Sequence, residues 1–97
     1  MNVVRTDEAL NDRNAYVLYV AIDNPDAAIR LDDLFTEAGE SLSQFPRRGR
    51  PGWDENPREL VIHKNYVLVY GIDEEADTVY IKTVLHTSQN RKENFSS

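Results

Sequence analysis

The sequence predicts an α+β domain in which an antiparallel pair of helices covers one face of a small, mostly antiparallel sheet. Three observations predict it. An apolar stripe at helical spacing runs through residues 28–45, a stretch rich in proline and glycine follows at 46–57, and beyond it apolar runs of strand length alternate with short polar turns. A chain of 97 residues is expected to form one domain spanning residues 1–97, because a second core would be too small to hold itself together. The expected order of elements is β-α-α-β-β-β.

Residues 2–5 form a short β-prone run. Thr6 or Asp7 can cap the helix that follows, with Asp7 and Glu8 in a first turn where the macrodipole favours negative charge. Ala9, Tyr16, Val17 and Val20 recur at helical spacing to about Ala21; Arg13 interrupts that stripe, so either the face is imperfect or the arginine snorkels at its edge. Asn24-Pro25 then breaks the chain and restarts it, with Asn as N-cap and Pro at the first helical position. Behind it Ala28, Leu31, Phe35, Ala38, Leu42 and Phe45 step by three or four, Ala27 and Leu34 widen the stripe, and Arg30, Asp32, Asp33, Glu37 and Glu40 keep water on the far side. Two helices joined by so few residues should form an antiparallel hairpin.

Residues 46–57 read as a loop closed at each end by proline. It carries Arg47, Arg48 and Arg50, followed by Trp53. Residues 58–62 read as a strand, His63-Lys64-Asn65 as a tight connection, and 66–72, apolar on both faces, as a central strand. After a polar turn at 73–77, residues 78–86 alternate. Val79, Ile81 and Leu85 are expected on the core face, with Thr83 a polar break in that row, and Tyr80, Lys82, Val84 and His86 on the other. Residues 87–97 have no apolar period and are expected to fray, or to fold only against a partner.

Composition narrows the chemistry. The absence of cysteine excludes a disulfide framework, a thiolate zinc site and a cysteine nucleophile. Two histidines far apart in the pattern, with the acids mainly on the helices, argue against a metal site, and nothing suggests a cofactor. No run is long enough to span a bilayer and the first residues lack the apolar run of a signal peptide, so a cytoplasmic location without membrane attachment is expected. The formal net charge is -6, and its distribution is uneven. The entire excess of acid lies before Pro46, whereas the second half is neutral with clustered bases. Such asymmetry suits two functional faces, and equally an acidic helical surface kept for solubility.

Several blocks together resemble the RelE/ParE superfamily of toxins from type II toxin–antitoxin systems, in particular its ParE-like branch. They are Asn24-Pro25-Asp26-Ala27-Ala28, Phe45-Pro46 with Gly49-Arg50-Pro51-Gly52, Arg58-Glu59-Leu60-Val61, Tyr66-Val67-Leu68-Val69-Tyr70 and Val84-Leu85-His86. They come in the family's order and cover residues 2–91. The resemblance implies a plasmid-stabilising toxin held in a hetero-oligomer by a cognate antitoxin, itself usually a DNA-binding autorepressor. It leaves two targets open: ParE-type members inhibit DNA gyrase without established catalytic residues, and RelE-type members cleave mRNA on the ribosome as metal-independent endoribonucleases. A third alternative is a degenerate member that binds antitoxin without toxicity. The sequence departs from the RelE pattern in lacking dense lysines and in having Thr87 after His86 where a Tyr is usual, and from the ParE-like pattern at Arg13, where an aliphatic residue is usual.

Under the RNase alternative His86 is the candidate proton carrier, since an imidazole can move protons near neutral pH during attack of a 2′-hydroxyl. Arg58 would match the arginine that neutralises phosphate at the start of this strand, by bidentate contact. Their plainer readings are a strand-end histidine bonded to its neighbours and a structural ion pair. Arg47, Arg48, Arg50, Lys82 and Arg91 are candidates for contact with phosphate or an acidic target, or are simply solvated bases. Trp53 suits stacking on a base, anchoring a partner or lidding the core.

Overall fold

The computed structural model describes residues 1–52, 56–63 and 65–87; Trp53, Arg91 and the expected tail from 88 onward lie outside them. The chain opens with strand β1 (Asn2–Arg5) and continues with helices α1 (Asp7–Asp23) and α2 (Pro25–Gln44). A two-residue strand, β2 (Arg50–Pro51), then precedes β3 (Arg58–His63), β4 (Tyr66–Asp73) and β5 (Thr78–His86). The sheet order is β1-β5-β4-β3-β2, with β1 parallel to β5 and the other pairs antiparallel. β2 goes beyond the expected order; two residues are too few to show a period in sequence.

Both helices start where their caps require. Thr6 is the N-cap of α1, its hydroxyl accepting from the Ala9 N–H at 3.1 Å. Asn24 caps α2 through its side-chain oxygen, which accepts from the Ala27 N–H at 3.1 Å, and Pro25 follows in the first turn. The inner stripe of α2 packs as expected, with Ala28, Leu31, Phe35, Ala38 and Leu42 all buried. Burial of a side chain such as Phe35 or Leu42 contributes about 1.5–3 kcal/mol. Phe45 departs from that expectation. It is 61% exposed, because it is the C-cap and its backbone has left the helix (φ -126°), so helical spacing no longer aims it at the core.

Arg13 ties the hairpin together. Its Nε donates to Asp32 Oδ1 at 3.0 Å and its Nη2 to the Asp32 carbonyl (3.0 Å) and Thr36 Oγ1 (2.6 Å), while the guanidinium lies 5.8 Å from the centre of the Phe35 ring. An arginine on the inner stripe is therefore accommodated by supplying it with acceptors on the neighbouring helix, and its flat face covers an aromatic.

The expected alternation of the last strand fails at one point. Tyr66 pairs with His86 and Leu68 with Val84, but Tyr70 pairs with Ile81 and Ile72 with Val79, so β5 holds one residue more than β4 at Lys82. This β-bulge shifts the phase by one. Val79 and Ile81 face the helices as expected, and beyond the bulge Val84 and His86 do so too; Val84 is buried in the core. Placement of Val84 and His86 on the face away from the core is thus corrected, as is that of Leu85 on the core face; of the four residues expected on the helix-free face, Tyr80 and Lys82 stand exposed there. The first turns of α1 hold the bulge. The Thr6 hydroxyl donates to the Lys82 carbonyl (3.0 Å), and Asp12 Oδ2 accepts from the Thr83 hydroxyl and, at 3.4 Å, from the Val84 N–H.

Candidate functional site

Two regions gather the residues that the sequence singles out, and they lie at opposite ends of the sheet. At one end is the arginine loop. It is held from beneath by Arg58 and Tyr70, which are cross-strand partners on β3 and β4. The Tyr70 side chain is wholly buried. Its hydroxyl donates to the Pro46 carbonyl at 2.7 Å and accepts from the Gly49 N–H at 2.9 Å. Arg58, only 7% exposed, donates from Nε and Nη2 to the Gly49 carbonyl (3.1 and 2.7 Å) and from Nη2 to the Arg47 carbonyl (3.2 Å). Two side chains thus satisfy four backbone groups of the loop, groups that burial would otherwise leave unpaired. Gly49 is needed for the close approach. A Cβ there would lie 2.7 Å from the Tyr70 hydroxyl and from the Glu59 carbonyl.

On this rigid base Arg47, Arg48 and Arg50 all stand exposed. Arg47 pairs with Glu74, Arg48 Nη1 donates to Ser41 Oγ at 2.8 Å, and Arg50 reaches Glu59 at 3.5 Å. Contacts of this kind on the surface are weak and exchangeable, so the guanidinium groups can turn to an external anion at small cost. Exposed Phe45 and half-buried Pro46 line a shallow depression with Arg47 and Arg48. Lys82 stands on the helix-free face, its aliphatic stem running over Gly71, where an added Cβ would come 3.1 Å from Lys82 Cε.

At the other end is an aromatic cluster. The Tyr66 ring meets Phe35 (5.7 Å), Tyr16 (5.4 Å) and His86 (5.1 Å) edge to face, and the His86 backbone N–H donates to the Tyr16 hydroxyl at 3.2 Å. Burial raises the Tyr66 hydroxyl above its ordinary value, with the neighbouring Tyr16 and Tyr19 phenols adding to the shift. Beside it a cleft of about 370 Å³ opens between α2 and the β3–β4 turn, lined by Val20, Ala27, Arg30, Leu31, Leu34, His63, Asn65 and Tyr66.

The structure therefore brings Arg47, Arg48 and Arg50 together and places Arg58 under them as their support. It does not bring Arg58 near His86. Arg58 is opposite Tyr70 and His86 opposite Tyr66, and four residues along β4 at about 3.3 Å each put roughly 13 Å between them. Among the described residues no three His, Asp or Glu side chains gather as a metal set, and no helix is long and apolar enough to cross a membrane. Sequence reasoning missed Tyr70. The available signal was a tyrosine in the middle of an apolar central strand, whose hydroxyl must find a partner once buried.

This geometry, two helices over one face of a five-stranded mixed sheet, has close counterparts. A family model, the ParE toxin of type II toxin–antitoxin system, parDE, matches residues 3–91. A relative from Sinorhizobium fredii, described as "Putative toxin Y4kP", is 36% identical over 72 residues, which is 73% of this chain and 72% of the relative. A solved structure described as the chromosomal ParDE TA system from P. aeruginosa superposes with a TM-score of 0.77 at 18% identity, covering 89% of this chain and 95% of that one. The chain belongs to the ParE toxin family of type II toxin–antitoxin modules.

Proposed function

We propose that the chain acts as a target-binding toxin that inhibits DNA gyrase and is silenced by a cognate antitoxin, rather than as an mRNA-cleaving enzyme. The observation that carries this reading is the separation of Arg58 from His86. Phosphodiester cleavage needs a proton carrier and a phosphate-neutralising cation around one scissile bond. Here the two lie roughly 13 Å apart along the strand direction, and the guanidinium is committed to carbonyls of the arginine loop above it. Arg47, Arg48 and Arg50, with Lys82, supply the cationic part of the surface that meets the target; Trp53 and Arg91, outside the described residues, are proposed as further target contacts. Membership of the ParE family and a structural neighbour described as a ParDE system support a partner antitoxin. Its segment has a suitable seat in the cleft beside Tyr66, where an apolar floor and Arg30 would receive an apolar and acidic stretch that orders on contact.

Supercoiling of relaxed plasmid by purified gyrase, with and without the protein, tests the target. Loss of supercoiling, restored by the antitoxin encoded beside the toxin, is expected. Undiminished supercoiling at high molar excess would overturn the gyrase assignment.

A further inference from the structure

We propose that the outer stripe of α1 is a homodimer interface, in which a second copy of the chain packs antiparallel across a two-fold axis near Leu18 and Tyr19. The inner side of α1 is already used, by Ala9, Tyr16, Val17 and Val20. Yet Ala15, Leu18, Tyr19 and Ile22 repeat at the i, i+3, i+4, i+7 spacing of a second apolar stripe on the opposite side. Leu18 is 67% exposed, Tyr19 73% and Ile22 81%. The segment from Ala15 to Ile22 has no charged residue, in a chain that is 29% charged. A surface helix that is apolar on both sides has one side in need of cover.

Charge selects the occupant. A basic partner segment would find its attraction on α2, where Asp26, Asp33, Glu37 and Glu40 are exposed, and the apolar and acidic antitoxin stretch proposed above finds its cation at Arg30 beside the Tyr66 cleft; neither finds an opposite charge on this neutral stripe. A second copy fits the stripe as it stands. In an antiparallel two-fold pairing Ala15 faces Ile22 of the other copy, and the acidic end of the stripe at Asp23 faces Asn11 and Asn14 instead of its own image. No carboxylate meets a carboxylate, and the interface is self-complementary as two-fold symmetry requires. Leu18 and Ile22, four residues apart, form the ridge that helix pairs interdigitate. The exposed area of these side chains, taken in both copies, is roughly 1,000 Å², the lower bound for a specific interface, so a dimer at micromolar concentration is expected rather than an obligate one.

Sedimentation velocity of the full chain from about 1 to 200 μM tests this, alongside Leu18→Gln/Ile22→Gln, whose exposed positions and retained helicity keep the fold intact. Wild type should pass from monomer to dimer over that range, and the double variant should remain monomeric. Because the chain has no cysteine, Leu18→Cys gives a second readout: mild oxidation should link two copies through the two-fold axis, while Val61→Cys, on the helix-free face, should give no such product. A wild-type monomer throughout, a dimer that survives the double substitution, or equal cross-linking at both positions overturns the proposal. So does a double variant that dimerises normally but no longer binds antitoxin.

Discussion

Replacing Tyr70 by phenylalanine removes one oxygen atom and tests how the arginine loop is held. The wild-type hydroxyl is wholly buried, donates to the Pro46 carbonyl and accepts from the Gly49 N–H. Phenylalanine keeps the ring and its packing but leaves both backbone groups without that partner. Each hydrogen bond contributes about 0.5–1.5 kcal/mol net, and a buried group left unpaired costs about 1–3 kcal/mol. Partial access of water at Pro46 favours the lower end, so a loss of about 2 kcal/mol is expected. That is a large share of the roughly 5–15 kcal/mol that holds a domain together. At about 4–8 °C per kcal/mol for a domain of up to about 100 residues, the melting temperature should fall by about 8–16 °C. Urea unfolding of both proteins, followed by circular dichroism, measures the difference, with Tyr80→Phe on the exposed face as the control expected within about 0.5 kcal/mol. A Tyr70→Phe loss no larger than the control's would refute the idea that this hydroxyl fastens the loop.

Arg58→Lys keeps the charge but loses the fork that spans two carbonyls, and a loss of about 1–3 kcal/mol is expected; unchanged stability together with lost toxicity would instead return Arg58 to a target-binding role. Asp12→Ala leaves the Thr83 hydroxyl and the Val84 N–H without their acceptor, and about 1–2 kcal/mol should be lost. If the bulge holds itself, the same denaturation curve will not move. Because Tyr66 is raised above 10.0 in the native state, the unfolded chain gives up that proton at lower pH than the folded one. Its contribution is therefore constant below about pH 10 and is lost as pH climbs past that value. The melting temperature of Tyr66→Phe should decline less than wild type's above about pH 10, and parallel declines would contradict the shift.

The second helix was legible because one period governs it from Ala28 to Leu42 and its cap, Asn24-Pro25, is local chemistry. The first helix was harder to read, since two apolar stripes blur a single periodic signal and an arginine stands in one of them. Phe45 shows where spacing stops carrying information, at the residue whose backbone leaves the helix. His86 was placed on the wrong face because alternation counts residues, and a bulge adds one without any mark in the residues themselves. What fixes that bulge are Thr6 and Asp12, more than seventy residues away in sequence. The basic loop was visible from its composition, but the burial of Arg58 beneath it was not. An arginine is ordinarily a surface residue, and only the unpaired carbonyls of the folded loop make an interior position favourable.

The most direct measurement compares gyrase inhibition by three proteins: wild type, His86→Ala, and the combined Arg47→Gln, Arg48→Gln, Arg50→Gln variant. Wild type and His86→Ala should inhibit supercoiling alike, while the triple variant should need about tenfold more protein or fail altogether. Full potency of the triple variant would contradict the account. So would ribosome-dependent mRNA cleavage that disappears in His86→Ala.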